Sequence, residues 1–223
     1  MIRVRKSEDV PASLLLANPI AYDGQDVQAA LVIDQDEKCY LCEQQHRQNF
    51  QVEHLKPKTI YTRLKYTWTN LFSACPYCNG RKPNDYEILD PSQHNIEDIL
   101  VQKLDLVNKH IEINTLTPGS QEEFTVKLLK KLFNGKNNIR DIKGQRLYDD
   151  LQREVIFFLK LLNDYKNENT PDNKQKIIDH LDIKKEYLAF KYWLLKENHF
   201  YDEFESNVVW NKVERILNEL KDK

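Results

Sequence analysis

The sequence has no long apolar run, almost no net charge and no internal repeat. Among its 223 residues, no apolar stretch approaches the ~18 residues of a membrane span. The segment SLLLANPIAY is too short, and begins too far from Met1, to be the apolar part of a signal peptide. The net charge of -2 argues against a protein that coats nucleic acid by its overall charge. We therefore predict a soluble, cytoplasmic protein.

Cysteine is scarce as well, and its positions are informative. The four cysteines form two Cys-x-x-Cys pairs, Cys39 with Cys42 and Cys75 with Cys78. In a reducing cytosol such pairs are more often metal ligands than disulfides. Two pairs of this spacing suit the tetrahedral coordination of Zn²⁺, and a small module with little core of its own gains folding free energy from such a metal. We predict a structural Zn²⁺ site on these cysteines; a redox role or simple burial is the alternative.

Four of the polar residues between or directly after the cysteine pairs are candidates for a catalytic site: Glu53, His54, Asn70 and Asn79. Hydrolysis of a phosphodiester needs a base for the attacking water and a divalent cation held by oxygen ligands. The imidazole of His54 could act as the base that takes a proton from the attacking water. The oxygens of Glu53 and Asn79 suit Mg²⁺, a harder ion than the one that cysteine prefers. The alternatives are a noncatalytic histidine at position 54 and a turn residue at position 70.

The order of these residues resembles the motif of the HNH endonucleases. In that motif a histidine follows an acidic residue, an asparagine precedes the second cysteine pair, and a histidine or asparagine follows it. The resemblance implies a ββα-metal fold in which His54 is the base, Asn70 ties down the loop and orients His54, and Asn79 projects from a helix to the metal. Two departures are Glu53, where aspartate is more usual, and Asn79, where histidine is more usual.

The first 92 residues are more narrowly similar to the PtuB-like nuclease subunits of Septu anti-phage systems, including those associated with retrons. The matching segments are MIRVRK with Pro11 nearby, CYLCE, VEHLKPK, YTWTNL, ACPYCNGRK and ILDP. This similarity implies a PtuA-like ATPase as partner and a role in defence against phage.

Basic residues are concentrated beside the predicted site. Between His54 and Pro83 the chain has six lysines and arginines and neither Asp nor Glu. We predict that a substrate phosphate contacts four of them, Lys56, Lys58, Arg81 and Lys82. A solvated surface run is the alternative. His46, near the first cysteine pair, is a weaker candidate for a substitute zinc ligand or a phosphate contact.

We predict an α+β fold in which a zinc-stapled ββα-metal (HNH) module, residues 1–92, precedes a mainly α-helical region, residues 93–223. In the module, the segments HRQNFQVEH and LFSA have strand character, a helix follows Cys75, and Asp26 is the expected cap of an earlier helix. Residues 96–117 are ambiguous, with KHIEINTLT favouring a strand in a small hairpin.

The chain from Pro118 onward has helical periodicity. Ser120 and Glu123 are expected to form a capping box, and Gly135 is the expected end of the helix that they begin. Further helices are predicted from about Ile139 to Tyr165, from Pro171, and in the segments KKEYLAFKYWLLK and SNVVWNKVERILNELK. Their aromatic stripes are typical of a core, and docking of a partner is the alternative.

Together these features predict a metal-dependent HNH endonuclease that uses structural Zn²⁺ and catalytic Mg²⁺ or a similar divalent cation. Its substrate is nucleic acid, with DNA favoured over RNA, and its partner is a PtuA-like ATPase. Two alternatives are a catalytically silent zinc module that binds nucleic acid and an adaptor whose helical region binds a partner. Neither alternative requires the set Glu53, His54, Asn70 and Asn79.

Overall fold

The computed structural model describes residues 1–46, 49–85, 87–208 and 210. Its helices and strands, in chain order, are α1 (Gln25–Asp34), β1 (Gln51–His54), β2 (Leu71–Ala74), α2 (Pro76–Asn79), α3 (Ile96–Ile99), β3 (Leu100–Asp105), β4 (His110–Thr115), α4 (Ser120–Asn134), α5 (Ile142–Asn167), α6 (Pro171–His180), α7 (Leu188–Glu197) and α8 (Tyr201–Phe204). The mixed architecture with a helical C-terminal region confirms the predicted α+β class.

An antiparallel hairpin of β1 and β2 carries the predicted site. Glu53 pairs with Phe72, and His54 pairs with Leu71. Because side chains alternate along a strand, Gln51 and Glu53 share one face of β1 and His54 lies on the other. The predicted strands are therefore confirmed, although β1 includes only the last four residues of the segment HRQNFQVEH.

The helix α2 follows β2 directly. Pro76 occupies its first position, where the fixed φ of proline suits a helix and no amide hydrogen is needed. Cys75 is the N-cap residue, and its Sγ accepts a hydrogen bond from the amide nitrogen of Cys78 at 3.4 Å. The predicted helix after Cys75 is confirmed, and its N-terminal turn places two cysteine sulfurs close together.

Two buried clusters position these elements. The larger cluster continues from the cysteine segment into the C-terminal helices and includes Cys39, Phe72, Leu132, Phe158 and Phe190. The β3–β4 hairpin contacts α4 and α7, which links it to the same cluster. Residues on both sides of the predicted boundary at 92/93 therefore pack together, and the division into two domains stays a prediction.

The smaller cluster lies beside the His54 face of β1. It contains the buried side chains of Leu14, Val27, Leu31, Trp68 and Leu71, with Val52 of β1 packed against them. The segment before α1 is thereby held next to the hairpin.

Two predicted helix caps are wrong. Asp26 lies in the first turn of α1 and accepts hydrogen bonds from Ser13 instead of capping the helix. Ser120 is already the first residue of α4, with Gly119 in the cap position and no side-chain cap. Gly135 ends α4 as predicted, with a φ of 79° that glycine adopts without strain.

The predicted helix in SNVVWNKVERILNELK lies mostly outside the described residues. The part that is described contains a 3-10 turn at Glu205–Asn207 and the buried side chains of Val208 and Trp210. In the described ranges, no helix combines the length and apolar character that crossing a membrane requires.

Candidate metal centre and active site

The four cysteines converge on one point. Their Sγ atoms all lie within 4.8 Å of one another, and those of Cys42 and Cys75 are 3.9 Å apart. Tetrahedral Zn²⁺ with Zn–S bonds of about 2.3 Å separates its sulfur ligands by about 3.8 Å. Three of the cysteines are buried, and Cys75 is half-buried. The geometry fits a structural Zn²⁺ ion held by four thiolates.

A bound cation would stabilise the cysteine cluster electrostatically. Hydrogen bonding with the Cys39 thiol lowers the pKa of Cys75, whereas burial raises the pKa of Cys78. Four thiolates this close repel one another, and a divalent ion removes that repulsion.

His46 lies beside the cysteine cluster without belonging to it. Its Nε2 is 2.6 Å from Ser73 Oγ on β2. The structure therefore shows His46 as a hydrogen-bond partner of the hairpin, and the four cysteines suffice as a ligand set.

His54 ends β1 and is held by a backbone carbonyl. Its Nε2 lies 2.9 Å from the carbonyl oxygen of Lys65, in the loop between the strands. A carbonyl oxygen only accepts, so Nε2 carries the proton and Nδ1 of the neutral ring has the free lone pair. Nδ1 is thus the ring atom able to take a proton from water.

The imidazole ring of His54 also contacts Tyr22, from the segment before α1. Their ring centroids are 4.5 Å apart in an edge-to-face arrangement, and the Tyr22 hydroxyl oxygen is 2.5 Å from Lys58 Nζ. Burial is the main reason that the pKa of His54 is lowered; the charges of Lys58 and Lys82 add to the effect, and the Lys65 carbonyl opposes it. A histidine with a lowered pKa is neutral at pH 7.

Glu53 lies on the opposite face of β1, and both of its carboxylate oxygens have partners. Oε2 accepts a hydrogen bond from the Tyr40 hydroxyl at 2.6 Å, and Oε1 is 2.9 Å from Lys82 Nζ. Burial raises the pKa of Glu53, and the positive charge of Lys82 counteracts that rise.

Asn79, the last residue of α2, lies on the Glu53 side of the hairpin. Its Nδ2 donates to Gln51 Oε1 at 2.7 Å, and Gln51 shares a strand face with Glu53. A carboxylate and an amide oxygen are donors of the kind that Mg²⁺ prefers. The residue types therefore fit the predicted Mg²⁺ site, but Lys82 already contacts one carboxylate oxygen of Glu53.

Asn70 is buried and fixes the loop that follows β1. Its Oδ1 accepts from the Lys56 amide at 2.7 Å, and its Nδ2 donates to the carbonyl oxygens of Lys56 and Leu64 at 3.0 and 3.2 Å. Leu64 directly precedes Lys65, whose carbonyl holds His54. The described contacts of Asn70 thus reach His54 through the loop.

Asn70→Ala is expected to lower the free energy of unfolding by about 1–3 kcal/mol, because buried backbone groups of the loop lose their partner. Urea denaturation measures this difference. The matched control is Thr69→Ala, since Thr69 is the exposed neighbour of Asn70, and its effect should stay within about 0.5 kcal/mol. Equal stability of the two variants would argue against this role of Asn70.

Two of the predicted phosphate contacts, Lys56 and Lys58, lie in the loop after His54. The Lys56 side chain is 41% exposed, and its Nζ is 3.8 Å from Glu87 Oε2. Lys58 is half-buried against Tyr22. Both lysines therefore lie in the loop that follows His54, and Lys58 also contacts Tyr22, whose ring packs against His54.

The other two, Arg81 and Lys82, are paired with acidic residues from elsewhere in the chain. Arg81 forms an ion pair with Asp141, and its guanidinium lies over the Tyr77 ring. The Lys82 side chain is only 3% exposed and points inward to Glu53, away from the surface where we expected a phosphate. Acidic residues from other parts of the chain thus neutralise part of the positive charge of this basic run.

Some of the described groups that contact the site residues were not predicted, among them the ring of Tyr22, the hydroxyl of Tyr40, the amide oxygen of Gln51 and the carbonyl of Lys65. Tyr40 lies inside the first cysteine pair, which is a usable signal of proximity to the metal. No sequence pattern links Tyr22 to His54. The contact with Lys65 uses a backbone carbonyl, which every residue type has, so the sequence gives no signal for it.

Comparison with known proteins gave a match that covers the segment carrying these residues. A family described as HNH endonuclease matches residues 39–85. The matched segment contains all four cysteines as well as Glu53, His54, Asn70 and Asn79. Searches of curated proteins and of solved structures gave no significant match.

Proposed function

From the HNH endonuclease domain at residues 39–85, we propose that this protein hydrolyses nucleic-acid phosphodiester bonds with the help of a divalent metal. The observation that carries the proposal is the orientation of His54. A backbone carbonyl holds its Nε2, the ring is neutral at pH 7, and Nδ1 has the free lone pair.

In the proposed reaction, His54 Nδ1 accepts a proton from a water molecule while the water oxygen attacks phosphorus. The bond between phosphorus and the 3' oxygen breaks, so the product carries a 5' phosphate. Glu53 and Asn79 would hold Mg²⁺ or a similar cation, which when bound offsets the negative charge that grows on the phosphate. The Zn²⁺ on the cysteines would contribute folding free energy.

A cleavage assay with defined substrates tests the proposal. Zinc-loaded protein is incubated with duplex DNA, single-stranded DNA or tRNA, in Mg²⁺ or in EDTA, and the product ends are sequenced. We expect Mg²⁺-dependent products with 5' phosphates, and faster cleavage of DNA than of RNA. Binding without cleavage of all three substrates would favour the catalytically silent binding module.

We further propose that the substrate phosphate contacts Lys56 and Lys58. The double variant Lys56→Ala/Lys58→Ala should bind nucleic acid less tightly and with less dependence on salt, because fewer counterions are released. The slope of log K against log salt should become shallower by about 1.8 for duplex DNA or about 1.4 for single strands. Fluorescence anisotropy over a salt series measures this slope.

The control for that experiment is Lys160→Ala/Lys166→Ala, which removes the same charge from exposed positions on α5. Its salt slope should equal that of the wild type. Identical slopes for the two double variants would mean that Lys56 and Lys58 make no phosphate contact.

The similarity of residues 1–92 to PtuB-like subunits supports a finer proposal, in which the protein is the nuclease of a complex with a PtuA-like ATPase that acts against phage. Coexpression with such an ATPase and size-exclusion chromatography tests this partnership. Stable coelution, with cleavage lost in His54→Ala, is the expected result. Association that leaves no cleavage in any sample would favour the adaptor alternative.

A further inference from the structure

Lys82 contacts Glu53, one of the two predicted Mg²⁺ ligands, through its ammonium group. Its Nζ is 2.9 Å from Glu53 Oε1 and also donates to the carbonyl oxygen of His54 at 2.9 Å. Its backbone is anchored by α2, since its amide nitrogen donates to the carbonyl oxygens of Cys78 and Asn79. The ammonium group therefore connects the helix to the end of β1.

The Glu53–Lys82 ion pair is almost completely buried. The side chain of Glu53 is 7% exposed and that of Lys82 is 3% exposed. The other carboxylate oxygen of Glu53 accepts from the neutral Tyr40 hydroxyl. In this arrangement Lys82 is the cation that balances the buried carboxylate, and a buried carboxylate without a cation is strongly unfavourable.

A metal ion on the same carboxylate oxygen would come close to this ammonium. With a metal–oxygen bond of about 2.1 Å and the observed 2.9 Å from Oε1 to Nζ, the two cations would be at most about 5 Å apart. Like charges at such a distance in a buried site repel each other strongly. The flexible four-carbon chain of lysine allows the ammonium to move to another position.

We propose that Lys82 is an internal cation at Glu53 that a divalent ion must replace, so that it keeps the site closed and limits metal affinity. The proposal deepens the proposed function, because it concerns the metal site of the same reaction. In the absence of metal, the contact with Lys82 holds the carboxyl group of Glu53 in place. Metal binding breaks that pair, and its loss subtracts from the affinity.

The test measures Mn²⁺ binding to zinc-loaded protein by electron paramagnetic resonance, with Mn²⁺ as the probe for the hard-cation site. Lys82→Met and Lys82→Gln remove the charge, and the glutamine amide retains a donor for Glu53. We expect both variants to bind Mn²⁺ at least tenfold more tightly than the wild type. Their melting temperatures should also rise more with added Mn²⁺.

Two controls make the result specific. Lys103→Met removes a lysine from a remote ion pair with Glu197 and should leave Mn²⁺ affinity unchanged. Glu53→Gln/Lys82→Met lacks both charges and should lose the gain in affinity. Affinity in Lys82→Gln that equals or falls below that of the wild type, or the absence of Mn²⁺ binding in both, would overturn the proposal. Tighter Mn²⁺ binding by the Lys82 variants, together with no nuclease activity in the wild-type protein, would support Lys82 as the competing cation and refute the proposed function.

Discussion

Cys78→Ser is expected to deprive the chain of its Zn²⁺ and of a stable fold. Cys78 is fully buried in α2, and its sulfur belongs to the cluster in which all four Sγ atoms lie within 4.8 Å. Structural Zn²⁺ contributes about 10–16 kcal/mol of apparent folding free energy in small zinc modules. The total stability of a domain is only about 5–15 kcal/mol. Loss of one thiolate ligand therefore threatens the whole fold.

Elemental analysis and solubility measure this effect. We expect about one zinc per wild-type chain, as for a single four-cysteine site, and largely insoluble, zinc-poor Cys78→Ser protein. His46→Ala is the matched control, because His46 lies beside the cluster but bonds to Ser73. A soluble Cys78→Ser protein with a full zinc equivalent would show that this cysteine is no ligand. Loss of zinc from His46→Ala would show that the ligand set includes His46.

The zinc cluster is predictable from sequence because its geometry is largely local. In each Cys-x-x-Cys pair, one turn of backbone brings two sulfurs together, and at α2 Pro76 and the Cys75 cap favour that turn. The β1–β2 pairing then needs only to bring the two turns into contact. The strand that precedes Glu53 and His54 is predictable for the same reason, since its residue types favour a strand locally.

The surroundings of Glu53 and His54 depend on contacts that no local pattern encodes. Tyr22 reaches His54 because the small cluster around Trp68 holds the segment before α1 against the hairpin. In the sequence, Lys82 belongs to a run of basic residues that predicts a charged surface. In the structure, the chain turns after α2 and the side chain of Lys82 points to Glu53. The acidic partners of Lys56 and Arg81 likewise come from positions 87 and 141, outside the run.

His54→Ala is expected to reduce the cleavage rate by at least about 10²–10⁴-fold, because a positioned general base contributes a factor of that size. Substrate binding should persist, since the base acts in the chemical step and the proposed phosphate contacts are Lys56 and Lys58. Single-turnover cleavage and anisotropy measure the two properties separately. His94→Ala is the matched control, because His94 is exposed in a loop, and its cleavage rate should equal that of the wild type.

The dependence of the wild-type rate on pH gives an independent test of the same role. A base works in its unprotonated form, and burial lowers the pKa of His54, so the ring stays unprotonated to lower pH than a free imidazole. The rate should therefore be level through neutral pH and decline only below the ordinary histidine pKa of about 6.5. The residual rate of His54→Ala should lack this acidic decline. If His54→Ala instead lost binding while its bound fraction cleaved normally with the same decline, the histidine would be a substrate contact and another group would be the base.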